Sequence, residues 1–238
     1  SYIRPSYCVF AIYFFYLYFT FFKNKISIYY VMLFNILLAF PAFFYLFILD
    51  VFFIGWHIGS TLEESNTNYF DKTAIIGSII IFHSIPFLYY KKFFFNELFK
   101  KKLLILFSFA ISGILIFYFN YNLSSAGGGI FLHISNFLIG NNYLFYLLLP
   151  IFIFLILNIL KIKLSNNLIV VLVLLLMTPQ YHIFHKYYDP LVFILCLTMI
   201  DFNLKKDFFM EKKYISSAYL LFFTHYLISF VNSYYIKF

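Results

Sequence analysis

Long apolar runs alternate with short polar stretches along the whole chain, and the polar stretches alternate in kind between lysine-rich and chemically mixed. The apolar runs lie at roughly 6–22, 29–49, 73–90, 103–120, 143–160, 166–178, 187–200 and 214–235. They are continuous rather than alternating every second residue, which selects helices over strands. Runs of about 20 apolar residues match a hydrocarbon core about 30 Å thick. In that core only helices and closed barrels satisfy the backbone. The expected fold is therefore all-α, a polytopic transmembrane helix bundle of about eight spans. Residues 1–238 form one transmembrane domain.

The polar stretches set the orientation. Of the 17 Lys and Arg residues, 13 fall in alternate loops. The first loop carries Lys23 and Lys25, and the third carries Lys91, Lys92, Lys100, Lys101 and Lys102. The fifth carries Lys161 and Lys163, and the seventh Lys205, Lys206, Lys212 and Lys213. Arg4, Lys72, Lys186 and Lys237 remain for the other side. By the positive-inside rule the odd loops face the cytoplasm, and both ends of the segment face outward.

Composition agrees and excludes other classes. With 64% hydrophobic and 11% charged residues, the chain does not read as a water-soluble domain. The net charge of +8 sits in short loops where the membrane rule already accounts for it, so no nucleic acid partner is expected. The 38 Phe and 23 Tyr accompany abundant Lys, Asn and Ile, a bias towards AT-rich codons that makes any single aromatic weak evidence of function. Cys8 and Cys196 lie inside apolar runs and read as packing residues. No charged leader with a cleavage site precedes the first run. The opening SYIRPSY reads as the continuation of a longer protein, of which this would be the C-terminal part.

The mixed loops hold the candidate chemistry. The second, around 50–72, contains Asp50, Trp56, His57, Glu63, Glu64, Asn66, Asn68 and Asp71. The fourth, around 121–142, contains Ser124, Ser125, Gly127–Gly129, His133, Asn136, Asn141 and Asn142. The sixth contains Pro179, Gln180, Tyr181, His182, His185 and Lys186, followed by Tyr187, Tyr188 and Asp189. The spans on either side of the sixth loop are short. Leu168–Thr178 is 11 residues, about 16 Å at 1.5 Å per residue, and Leu191–Ile200 is 10 residues, about 15 Å. A sixth loop sunk below the membrane surface explains both. Interrupted hydrophobic segments of this kind mark binding sites in membrane proteins.

In the segment TPQYHIFHKYYDPL, 178–191, an amide, two imidazoles, an ammonium, phenols and a carboxylate crowd between two apolar runs. Lys186 is placed to neutralise a phosphate, and His182 or His185 to bind one or move a proton. An interfacial belt of Tyr and Lys would look similar. Glu63 and Glu64 are weak candidates for a base, because adjacent acids commonly just face solvent. Gly127–Gly129 lacks the spacing and Lys of a phosphate-binding loop and reads as a flexible connection. His83 and His225 lie inside spans, where a histidine usually makes one hydrogen bond to satisfy itself. No metal site and no cofactor is expected.

Several segments in order resemble the C-terminal half of the polytopic GT-C glycosyltransferases, most closely the dolichyl-phosphate-glucose-dependent α-1,2-glucosyltransferase family. These are Arg4 opening a span, NILLAFPAFFYLFI, the span ending IFHSIPFLYY, NNYLFYLLLPIFIF, and TPQYHIFHKYY. The last puts Pro179, Gln180, Lys186 and Tyr187 on positions of the family's Pro-Gln … Arg-Tyr motif. Lys186 stands where the family has Arg, no acidic residue lies between Gln180 and Lys186, and SSAGGG replaces a charged stretch of which His133 would be a remnant. The resemblance implies transfer of a sugar from a polyprenyl-phosphate donor, with inversion, on the outer or luminal face. Lys186 and Arg4 would hold the donor phosphate, with Gln180, Tyr187 and His185 orienting it. The catalytic acid residue would lie upstream of Ser1. The expected location is the plasma or inner membrane of a bacterium, or the endoplasmic reticulum of a eukaryote. Two other readings compete: a transporter or flippase of a lipid-linked or anionic substrate, and a structural subunit of a membrane complex.

Overall fold

The structure, a computed structural model, describes residues 10–21, 29–38, 40, 68–90, 102–121, 127–177, 183, 188, 191–202 and 211–235. Among them there is no strand. The helices are α1 (Phe10–Phe21), α2 (Tyr29–Leu38), α3 (Tyr69–Tyr90), α4 (Lys102–Phe117), α5 (Ile130–Ile139), α6 (Tyr143–Ile162), α7 (Leu164–Leu176), α8 (Leu191–Thr198) and α9 (Lys212–Tyr235). Most coincide with an expected apolar run to within a few residues. The exception is α5, which lies inside the stretch 121–142 that reads as a loop from sequence. Its run IFLHISNFLI is only 10 residues, about 15 Å, too short to be taken for a span.

Helix α3 is the axis of the molecule and packs against every described helix that follows it, α4 to α9. Its buried face runs nearly all the way round, from Asp71 and Lys72 through Ile75, Ile76, Ile79, Ile80 and Phe87. Gly77 lets α6 approach: a methyl group there would stand 3.1 Å from Ile156 Cδ1.

The polarity of these helices is inverted relative to a water-soluble bundle. Helix α4 turns Ser108 and Ser112 inward and shows Leu103, Leu106, Phe107, Phe109, Ile114 and Phe117 outward. The hidden serines return their hydroxyls to carbonyls of their own helix, Ser108 to Ile105 at 2.7 Å and Ser112 to Phe109 at 3.0 Å. Small residues at helix contacts and large apolar ones outside are the pattern of helices that meet within lipid. Helix α2 has no buried residue and exposes Leu33, Phe34, Ile36, Leu37 and Leu38. A helix apolar on all sides belongs in a core or a bilayer. By length and composition, two helices can cross a membrane, Tyr69–Tyr89 within α3 and Tyr143–Ile162. The others are shorter or less apolar, so the two fall below the eight spans expected from sequence.

The bundle has two distinct ends. At the upper end α3 begins beside the end of α4, where Asn68 Nδ2 donates to the Tyr118 carbonyl at 2.7 Å. At the lower end the turn between α6 and α7 meets the exit of α8, and Phe202 stacks on Phe87 of α3 with ring centroids 5.1 Å apart. Helix α9 starts here too, with Lys213 5.6 Å from the Tyr89 ring. Of the described lysines only Lys72 belongs to the upper end. Lys102, Lys161, Lys163, Lys212 and Lys213 all sit at helix ends on the lower side.

Candidate functional site

The upper end is assembled around the first turn of α3. Asn68 caps that helix, its Oδ1 accepting the Phe70 N–H at 3.0 Å. Its amide reaches the Tyr118 carbonyl, one of those left open at the end of α4. Asp71 completes the junction by accepting the Asn120 N–H on Oδ1 at 2.9 Å. Phe70 and Tyr118 stack over it at 4.7 Å. Both charged groups of this turn are buried, Asp71 at 2% exposure and Lys72 at 4%. The second carboxylate oxygen of Asp71 is shut off from solvent and has no hydrogen-bond partner among the described residues, with the Asn68 side chain a further neighbour of the carboxyl group. Among the described residues the Lys72 ammonium meets only the face of the Tyr69 ring, 5.5 Å away.

Below this junction lies the glycine run. Gly127, Gly128 and Gly129 are buried, so the stretch that reads as a flexible connection is enclosed by the bundle at these three residues. Gly129 has φ +74°, and a methyl group there would press on Ile79 Cγ1 at 3.3 Å and Ile75 Cγ2 at 3.4 Å. Ile75 and Ile79 are six and ten residues past Tyr69, about 9 and 15 Å down α3. Gly129 therefore lies inside the bundle, and α5 climbs from there towards the upper end. Near the foot of α5, Phe131 packs against Phe152 of α6 at 4.6 Å. Near its top, Ser135 Oγ donates to the Asn141 carbonyl at 2.7 Å and accepts the Phe145 N–H at 3.1 Å. The start of α5 has Gly129 as its cap and no side-chain acceptor for its first N–H groups.

The sixth loop joins this sunken segment. Gly128 N–H donates to the Ile183 carbonyl at 2.9 Å, and Ile183 N–H donates to the Tyr121 hydroxyl at 3.3 Å. Ile183 and Tyr188, the two described residues between 178 and 190, are both fully buried. Helix lengths agree with a low-lying loop. From the lower turn, α7 rises through 13 residues, about 20 Å, whereas α6 descends to it through 20 residues, about 30 Å.

His133 lies on the first turn of α5, half-buried. Burial holds its imidazole below the ordinary value, and a hydrogen bond to the Gly127 carbonyl works in the opposite direction. It is the one sequence candidate among the described residues. Arg4, Glu63, Glu64, Gln180, His182, His185, Lys186 and Tyr187 lie outside them. Sequence reading named Asp71 only as a member of the second mixed loop and Lys72 only as an outward cation, and it gave no role to either, nor to Asn120 or Tyr121. The available signal was a carboxylate and an ammonium set directly before the apolar run 73–90, where neither is easily solvated. Inside the bundle, buried His83 makes the modest bond expected of it, Nδ1 lying 2.9 Å from the Ile79 carbonyl of its own helix. Cys196 is buried as a free thiol beside Ser84. Among the described residues no three His, Cys, Asp or Glu side chains gather as a metal site. Comparison with models of protein families, with curated proteins and with solved structures finds no match to this chain.

Proposed function

We propose that this chain is a multi-pass membrane glycosyltransferase that moves a sugar from a polyprenyl-phosphate donor to an acceptor at its upper end, facing the outside or the lumen, with inversion. One observation carries the reading: the sixth and fourth loops meet below the top of the bundle, at Ile183, Gly128 and Tyr121, the last of these next in the chain to Asn120, whose N–H meets the buried Asp71 carboxylate. Polar backbone at such depth occurs in membrane proteins where it lines a cavity or is packed in protein. The inverted polarity of α2 and α4 and the lysines at the lower end support the bilayer setting and the orientation. On this reading Lys186 and Arg4 stabilise the charge that grows on the leaving phosphate. Gln180, Tyr187, His185, His182 and His133 orient donor and acceptor. A transporter would call for ionisable groups exposed deep in several helices, whereas His83 is already bonded to its own helix.

The test is sugar transfer by the full-length protein in membranes, normalised to protein level. Lys186→Met removes a charge-assisted contact with the leaving group and is expected to cost roughly 2–4 kcal/mol in the transition state. That is about 30- to 1,000-fold in rate. Lys186→Arg keeps the charge and should retain much of the activity. Transfer by the Met variant at the wild-type rate would reduce Lys186 to an interfacial anchor.

A further inference from the structure

The exit of α3 and the entry of α9 meet at the lower rim. Lys213 stands 5.6 Å from the centroids of both the Tyr89 and the Tyr214 rings, which are 6.1 Å apart. Lys212 beside it is exposed. Neither lysine has an acidic partner among the described residues, where Lys163 alone is paired, with Asp201 at 3.5 Å. Lys102 and Lys161 are exposed at the same end, so five described lysines stand there against two described acids, Asp201 and Glu211. Lysines in the first turn of a helix oppose its dipole. Lys212 and Lys213 open α9 and Lys102 opens α4, with no acid in either first turn, so these positions do not serve the helices' own stability. The surface above the charges is largely apolar. On α9, Phe222 and His225 turn inward to Phe82 of α3. Lys212, Ser216, Tyr219 and Phe223 share another face at helical spacing, and all four are exposed. That stripe rises about 16 Å above the ammonium at 1.5 Å per residue. On α4, Lys102, Leu106 and Phe109 repeat the pattern, again all exposed. An ammonium at the foot of an exposed apolar column matches an amphiphile with an anionic head and a hydrocarbon tail.

We propose that the entry of α9 is a binding site for an anionic phospholipid of the leaflet at the lower end. Lys212 and Lys213 take the headgroup phosphate as point charges. Tyr89 and Tyr214 hold Lys213 at the depth of the headgroups, where tyrosines of membrane helices gather. An acyl chain lies along Tyr219 and Phe223. Lysines clustered beside a membrane helix attract anionic lipid in this way. A soluble anion fits the two ammonium groups equally well but leaves the apolar column above them uncovered, so the lipid is the better occupant. The site rests on the bilayer setting and on none of the sugar-transfer chemistry.

The experiment is native mass spectrometry of the delipidated full-length protein, titrated in neutral detergent with dioleoyl phosphatidylglycerol or dioleoyl phosphatidylcholine. A lysine near anionic headgroups contributes about fivefold in affinity, so two should favour phosphatidylglycerol by roughly 25-fold. Lys212→Gln together with Lys213→Gln should bring the two lipids to within about threefold of each other by weakening phosphatidylglycerol alone. Lys163→Gln removes a charge that is already paired and should change the preference by less than about twofold. Dihexanoyl phosphatidylglycerol carries the same head on short chains and should bind at least about tenfold more weakly than the dioleoyl lipid. Equal binding of the two dioleoyl lipids by the wild type, or an unchanged preference in the double variant, overturns the site and leaves the lysines as topology signals only. An equal loss in Lys163→Gln overturns it in favour of net charge. Dihexanoyl lipid bound as tightly as dioleoyl overturns the lipid in favour of a soluble anion. If the double variant does not fold, salt decides on the wild type: a preference that collapses in about 0.5 M ammonium acetate supports the site, and one that survives overturns it. A protein that leaves the membrane fraction without detergent overturns the bilayer setting and this site with it.

Discussion

The two ends of the bundle treat buried polar groups in opposite ways. At the lower end no buried polar side chain among the described residues is left without a partner. Asn167 donates to the Ile159 carbonyl at 2.7 Å and the Asp201 carbonyl at 3.0 Å, and accepts the Asp201 N–H at 2.8 Å. Its neighbour Asn166 donates to the Met199 carbonyl at 2.6 Å and accepts the Tyr13 hydroxyl at 3.3 Å. Lys163 and Asp201 pair at 3.5 Å where both reach solvent. At the upper end, among the described residues, one oxygen of Asp71 has no hydrogen-bond partner and the Lys72 ammonium meets only the Tyr69 ring. The lower end is a clasp that fastens α6, α7, α8 and α1. The upper end is built with the same care up to Asn68 and Asp71 Oδ1, and then stops short of satisfying what it has buried. That difference sets a closed structural network at one end against an incompletely satisfied junction at the other.

Three substitutions test the contrast. The largest effect on stability belongs to the clasp. Asn167→Ala strands two carbonyls and one N–H where water is scarce, and at about 1 kcal/mol for each lost bond it should destabilise the fold by roughly 2–4 kcal/mol. Chemical unfolding in mild detergent reads this directly. A change under about 0.5 kcal/mol, within the range of ordinary surface substitutions, would mean the clasp fastens nothing.

Gly129→Ala comes next. It places a side chain at φ +74° and against Ile75 and Ile79. The strain should amount to about 1–3 kcal/mol. Because the fourth loop carries Ile183, the same variant should increase proteolysis between residues 178 and 190. Unaltered proteolysis with lowered stability would show that the two loops fold independently.

The smallest effect is a pH dependence. Burial lowers the His133 pKa in the folded protein below the ordinary 6.5. The unfolded chain therefore binds the proton more readily, and stability must rise with pH across this window. The contribution is fully present above 6.5 and is lost as pH falls through 6.5 towards the lower folded value. His133→Gln should flatten the dependence of melting temperature on pH between about 7 and 5. An identical slope in wild type and variant would assign the effect elsewhere.

Much of this molecule was legible in the order of its residues. Apolar runs near 20 residues have few alternatives to helix, so α3, α4, α6 and α9 fall where the runs do. The sequence placed most lysines in one set of turns, and five of the six described lysines do sit together at the lower end. The short runs beside the sixth loop already implied that it lies low. What a one-dimensional reading could not supply was everything that depends on the neighbour across the bundle. The run IFLHISNFLI reads as a loop until the space between α3 and α6 gives its apolar side chains something to cover. The triple glycine looks flexible until Ile75 and Ile79 close on it. Asp71 looks like a surface acid at the edge of a span. It becomes the unsatisfied group of the upper end only because the turn after α4 brings the Asn120 N–H to one oxygen and excludes water from the other. Local pattern determines which segments are helices and which loops share a side. Whether a polar atom is satisfied depends on what packs against it, and only the tertiary structure decides that.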